Sequence, residues 1–417
     1  MRRILSFITA SMVLLAACQS TPTPEPTPTE EPVPTATPIP KGQIFKIYSS
    51  LPLSGERADE ARGIVNAINL AIEKQTDPGG TLCDGILKIT HESLDDALSD
   101  TGVWDTFREQ DNAYKANADA DAMAYIGPLD SGAARVAVPI LNQASIVVVS
   151  PGTDYVGLTK PYEPSDPMVY YITGKRSFAR FGAPMDTLAA AAANWAKTLG
   201  ATKVFIVDDG EQYGLGASDA FNITAKEAGL EVAGREMIEP KARNLADIVG
   251  KVKSAKPRLV FFSGDNAVNG GQLLQALRKE GVDAKFMGTP IIQTKPFVTA
   301  AGAAGEGTYA VGSGIVLDKL TAKGQQFAQD YQAKFGAAPT SAAVFGYDAA
   351  TAVLGAARKV CLKDRVALMD ATVATQNLEG ALGKWSFDAN GDVNPQFMMG
   401  YMLKAGAWQP VSSITLP

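Results

Sequence analysis

The sequence predicts an α/β protein with two doubly wound parallel-sheet lobes. Three observations carry this. Short β-branched and aromatic runs alternate with amphipathic helical stretches, the βαβα pattern of parallel sheets covered by helices on both faces. The pattern runs through two separate series along the chain. Roughly 375 residues follow Gly42, which is enough for two well-cored domains and large for one.

The body is expected to be preceded by an export signal. Arg2 and Arg3 lead into a short apolar stretch over residues 4–17, and the chain reads LAAC at residues 15–18. A membrane span needs about 20 apolar residues, so this stretch is expected to be a signal-peptide core. The LAAC ending resembles a bacterial lipobox, which implies a signal peptide over residues 1–17 and lipidation of Cys18. An ordinary secretory signal is the alternative. Two or more acyl chains anchor stably, at roughly 0.8 kcal/mol per buried CH2. No later segment is long and apolar enough to span a bilayer. The chain is therefore expected on the outer face of a bacterial membrane (cell surface or periplasm), held by its lipid anchor alone. Residues 18–42 hold the Pro- and Thr-rich run TPTPEPTPTEEPVPTATPIP. Such a stretch has nothing to bury and favours polyproline II, a semi-rigid tether with a reach of about 60 Å. A glycan-bearing stalk would serve the same mechanical role.

In the first series residues 45–48 (FKIY) read as a strand. Residues 59–74 read as a helix carrying Ile64, Ile68, Ala71 and Ile72 on one face. Strands are expected at 87–91, 123–126 and 146–149, the last two flanking a helix at 133–143. The second series opens with a helix at 185–199. A strand at 203–207 (KVFIV), a helix at 215–228 and a strand at 232–237 follow, then a helix at 245–255, a strand at 259–263 (LVFFS) and a helix at 271–280. The tail reads as helices at 321–335, 348–358 and 365–376. A hairpin of residues 385–387 and 398–403 is expected around DANGD at 388–392. That segment lacks the spacing and terminal Glu of a calcium loop and is expected to be a turn.

The chain of 417 residues has a net charge of −6 and no basic cluster, which argues against a nucleic-acid partner. Its only histidine, His91, falls mid-strand, so a Ser-His-Asp triad has no evident base, and no G-x-S-x-G elbow exists. One His with two Cys falls short of a zinc site, and no phosphate-binding G-x-x-x-x-G-K loop is present. No cofactor or metal is expected. Cys83 and Cys361 remain once Cys18 is assigned to lipid, and two thiols in an exported protein suit a disulfide.

Ligands of open parallel sheets sit beyond the carboxyl ends of strands, where helix N-termini point N–H groups outward. The candidate loops are residues 127–132 (GPLDSG) and 150–155 (SPGTDY), then 208–216 and 264–266. With LPLSG at 51–55, YIGPLDS at 125–131, VSPG at 149–152, GLT at 157–159, DDGEQYG at 208–214, GQLL at 271–274, FMG at 286–288 and FGYD at 345–348, the chain resembles the leucine/isoleucine/valine-type solute-binding proteins of ABC transporters. These have the type I periplasmic-binding fold. The resemblance covers nearly everything from Gln43 onward and rests on the order and spacing of the pieces together.

The resemblance implies two lobes joined by three crossover strands, with a ligand cleft between the lobes. The crossings are expected near residues 178–183, 311–314 and 382–384. Lobe one would comprise residues 43–181 plus 313–383, and lobe two residues 182–312 plus 384–417. It also places Cys83 and Cys361 in lobe one, where they would pair. It implies that Ser131 holds a ligand carboxylate, that the backbone at Gly152 supplies further contacts, that Thr153 belongs to the ligand-binding residues and that Tyr213 forms an aromatic wall. A family Thr falls at Asp154, a family Tyr near Asp265, and a family Glu that receives the ligand ammonium has no acidic match beside Thr289 and Pro290. Asp154 or Asp265 is expected to take over the positive group. The implied function is capture of a small amino-acid-like ligand, with a branched-chain amino acid leading, and its delivery to an ABC uptake permease. The alternatives are a sensor lobe for a small amide, carboxylate or polyamine, and an exported glycosidase-like enzyme built on Asp95–Asp96 or Asp208–Asp209. Adjacent strand residues point to opposite faces, so such carboxylate pairs are weak evidence for an enzyme, and the chain is not expected to be one.

Overall fold

The computed structural model describes residues 39–99, 102–239, 244–264 and 266–416. Cys18 and the segments expected to be a signal peptide and most of a tether lie outside these residues, as does Asp265. Among the described residues no helix is long and apolar enough to cross a membrane.

The first sheet is built from β1 (Gln43–Leu51), β2 (Thr81–Leu82), β3 (Leu87–Asp95), β4 (Ala122–Ile126), β5 (Val147–Ser150) and β6 (Phe178–Arg180), with α1 (Ala58–Gln75), α2 (Thr106–Ala118) and α3 (Ser131–Gln143) between them. Its order is β2-β3-β1-β4-β5-β6, parallel except for β2. β4 and β5 are buried along their whole length, as expected of strands covered on both faces. Phe45 and Ile47 pack on one face and Tyr48 on the other, following the two-residue period.

The chain then builds a second sheet through α4 (Met185–Thr198), β7 (Lys203–Asp208), α5 (Gln212–Glu227), β8 (Glu231–Met237), α6 (Ala246–Ala255), β9 (Leu259–Ser263), α7 (Ala267–Lys279), β10 (Lys285–Gly288), α8 (Lys295–Ala301) and β11 (Tyr309–Ser313). The same alternation sorts its core: Phe261 stacks on Phe221 of α5 at 3.9 Å between centroids, while Phe262 faces α7 and α8.

The chain returns to the first sheet with α9 (Ala322–Phe335), α10 (Ser341–Val360) and α11 (Arg365–Val373), followed by a small sheet of β12 (Leu378–Gly380), β13 (Gly383–Phe387) and β14 (Val393–Asn394). Asp348 of α10 fixes this sheet, its carboxylate accepting from Ala381 N, Leu382 N and Trp385 Nε1 at 2.7, 3.0 and 2.9 Å. β15 (Met398–Lys404) and β16 (Ala407–Ile414) close the second sheet, whose order is β16-β15-β11-β10-β9-β7-β8.

The tail departs from expectation in two places. β13 pairs with β14, whereas β15 pairs with β11 and β16, so residues 385–387 and 398–403 are not hairpin partners. The third crossing also comes later than residues 382–384. Trp385, Phe387 and Val393 all pack in the core of the first sheet, and the chain joins the second sheet only at Met398. The connecting segments touch one another: Ala183 N donates to Ser313 Oγ at 2.8 Å, and Gly314 N to Phe397 O at 2.9 Å. The DANGD segment is a turn, with Asp388 Oδ1 accepting from Asn390 N and Asp392 N.

Candidate ligand site between the lobes

In both sheets the strand order reverses around the first strand of the series, as β3-β1-β4 and as β8-β7-β9. Crevices beyond the carboxyl ends at such points are where doubly wound sheets hold ligands. Gly127 opens the loop after β4 with φ 126°, and a Cβ there would lie 2.4 Å from Ser50 O. Only glycine lets that loop pass β1 so closely. The loop ends in Asp130, which receives Arg57 Nη1 at 2.8 Å, and in Ser131, the first residue of α3.

The loop after β5 is tied to it by two serines. Ser150 Oγ donates to Pro128 O at 2.7 Å and accepts from Gly152 N and Thr153 N at 3.2 and 3.1 Å. Ser131 Oγ accepts from Asp154 N and Tyr155 N, both at 3.0 Å, and donates to Asp154 Oδ1 at 2.8 Å. From the second lobe, Tyr213 on α5 donates its hydroxyl to Asp154 Oδ2 at 3.2 Å. Nearby, Tyr162 OH reaches Gln212 O at 2.9 Å. Ser131, Gly152, Thr153, Asp154 and Tyr213 are thus brought together; the fourth candidate loop carries Asp265, outside the described residues. Burial pushes the Asp154 carboxyl up, against the hydrogen bond from Ser131. The Thr153 hydroxyl, on a residue 1% exposed, has no partner among the described residues.

Two features of this region escaped the sequence reading. A Cβ on Gly132 would lie 2.2 Å from the Trp104 ring, so this indole covers the start of α3. A tryptophan just ahead of a polar helix, one of four in the chain, was the available signal. The second is Asp96, which is 0% exposed and has neither carboxylate oxygen partnered among the described residues. Glu109, also buried, accepts from Ser50 Oγ and Tyr125 OH at 2.5 and 2.8 Å. Burial raises the Asp96 carboxyl to about 7, with Asp130 and Asp95 adding to it and Arg57 opposing; Glu109 is raised too, first by burial and then by Asp96. A folded-state value above the unfolded 3.8 means that the protonated form stabilises the fold. That contribution is full below about pH 4 and is lost as pH rises through about 7. Asp96→Asn is accordingly expected to stabilise the protein by roughly 2 kcal/mol at pH 8 and to change little at pH 4. Urea melts at the two pH values check this, and equal effects at both would refute it.

The enzyme candidates have other work. Asp95 accepts from Leu53 N, Ser54 Oγ and Ala97 N, and Asp208 pairs with Arg235 Nε at 2.8 Å. His91 lies between Asn69 Oδ1 and Ser49 Oγ at 2.8 and 2.9 Å, and burial lowers its imidazole to about 4. Among the described residues no group of His, Cys, Asp and Glu could hold a metal ion.

A family model described as periplasmic binding protein matches residues 46–407. The Leu/Ile/Val-binding protein BraC3 of Rhizobium johnstonii is 24% identical over 368 residues, covering 85% of this chain and 90% of that protein. A branched-chain amino acid transporter substrate-binding protein from Streptococcus pneumoniae, solved with isoleucine, aligns with a TM-score of 0.68 at 20% identity. That alignment covers 90% of this chain and all of the other. A solute-binding protein from R. palustris, solved with benzoate, aligns with a TM-score of 0.62 at 21% identity over 89% of this chain and 96% of the other. At such identities the structures establish the shared type I fold of two parallel-sheet lobes, and the family match extends over most of the chain. The chain belongs to the periplasmic binding protein family, a solute-binding protein and not an enzyme.

Proposed function

We propose that this protein is an exported lipoprotein, anchored through Cys18, that captures a small amino-acid-like solute between its lobes and delivers it to an ABC uptake permease. The observation that carries this reading is the bridge from Ser131 through Asp154 to Tyr213, which links the carboxyl ends of both sheets at one point. The name of the Rhizobium relative, a Leu/Ile/Val-binding protein, supports an amino-acid-derived ligand with a branched apolar tail. Cleft-facing groups on both lobes let a ligand favour the closed arrangement through its greater affinity for it. Thermal shift against amino acids, small amides, carboxylates and polyamines should find a ligand; saturation at about 100 times Kd adds roughly 2.7 kcal/mol. Small-angle scattering should show compaction with that ligand. A screen without a hit, or a hit with an unchanged radius of gyration, would overturn the proposal.

A further inference from the structure

We propose that the solute carries an ammonium group with no carboxylate beside it, an amine or amino-acid amide, and that Asp154 supplies the carboxylate at this site from the protein itself. The inference rests on the two-lobe capture reading and narrows its ligand class.

A serine hydroxyl offers one hydrogen and two lone pairs. The lone pairs of Ser131 take Asp154 N and Tyr155 N, and its hydrogen goes to Asp154 Oδ1. The next two N–H groups of the loop, on Gly152 and Thr153, are taken by Ser150 Oγ. The Ser131 hydroxyl and the backbone N–H groups of residues 152–155 are therefore all in use within the protein. The Tyr213 hydroxyl from the facing lobe is directed to the same carboxylate, at Oδ2. The position that would cradle a ligand's anion already holds one.

That anion has no cation in direct contact, and the charge of Arg180 acts on it only from a distance. Among the described residues no Lys, Arg or His pairs with Asp154. The nearby Arg180 has its Nε on Asp392 Oδ1, Nη1 on Tyr155 O and Nη2 on Thr159 Oγ1. A half-buried carboxylate is stabilised by a paired charge or a proton. An ammonium placed between the lobes meets that need, and a zwitterionic amino acid would bring a second carboxylate against Asp154 at the same moment. The Thr153 hydroxyl, buried and without a partner among the described residues, is a further neutral group on this loop.

Three molecules with the same isobutyl tail test the inference: leucine, leucinamide and 3-methylbutylamine. Titration calorimetry on the full chain is expected to show the amide and the amine binding at least about ten-fold more tightly than leucine. Asp154→Thr is expected to reverse that order, and Asp154→Asn, which keeps the shape, to weaken the amine by about 10- to 100-fold. The asparagine variant decides the matter should the threonine variant not fold. Leucine binding to the parent as tightly as leucinamide, or an Asp154→Asn variant that binds the amine unchanged, would overturn the inference and leave two-lobe capture standing. No binding by these three or by any solute of the wider screen would overturn both.

Discussion

Replacing Asp392 with alanine is expected to lower the free energy of unfolding by about 3–5 kcal/mol, because it strands a buried guanidinium. Arg180 is 0% exposed and Asp392 1% exposed, with Nε 2.7 Å from Oδ1. The other two nitrogens donate to Tyr155 O and Thr159 Oγ1, each at 2.6 Å, so the cation is satisfied only as a set. Two charges out of water gain little over an apolar pair of similar volume, but a single one has no compensation. Arg180→Met combined with Asp392→Leu should therefore recover most of the loss. Guanidinium melts of the three proteins measure this, and a single variant within about 1 kcal/mol of the parent would refute it. The pair also reaches the proposed ligand site. Arg180 grips the carbonyl of Tyr155, next to Asp154, so the single variant should weaken ligand binding as well as stability.

The elements that were legible in the sequence are those whose signal is local. β9 runs over Leu259–Ser263 as expected, since a short run buried on both faces is apolar throughout. α1, α4 and α9 begin and end within a residue or so of expectation, because each shows one apolar stripe. The tail misled because β14 is two residues long, too short for any period to show, while the longer run at β15 offered itself as the nearer partner. α2 went unseen: it is mostly polar, and its buried contacts come from Glu109, Ala113 and Ala116. At the site, the positions of Ser131 and Gly152 beyond strand ends were readable, since loops at strand ends follow from the alternation. That Ser131 spends its hydrogen on Asp154 was not. It depends on the approach of two loops 23 residues apart, held by Ser150. The FGYD piece at 345–348 was likewise visible as a motif, while its purpose, three donors gathered on Asp348 from a segment more than 30 residues later, is a tertiary fact.

Removing the bond between Cys83 and Cys361 should cost more stability than any single change at the site and leave ligand affinity where it was. The two residues are bridged with their Cα atoms 5.6 Å apart and a sequence separation of 278. A cross-link over so long a loop restricts the unfolded chain by about 5 kcal/mol on chain-entropy grounds. Cys361 ends α10 in a left-handed conformation at φ 50°, and Cys83 lies in the turn just before β3, so the bridge joins the longest helix to the start of a central strand. That placement separates stability from function. Cys83 is at the amino end of the first sheet and Ser131 beyond its carboxyl end, about 30 Å away along a nine-residue strand at ~3.3 Å per residue. The double variant Cys83→Ser, Cys361→Ser is therefore expected to melt at a much lower denaturant concentration and to bind its solute as the parent does. Thiol titration of the denatured, unreduced parent should find neither sulfur free. Two reactive thiols there, or a variant as stable as the parent, would show that the lobe is held by its packing alone.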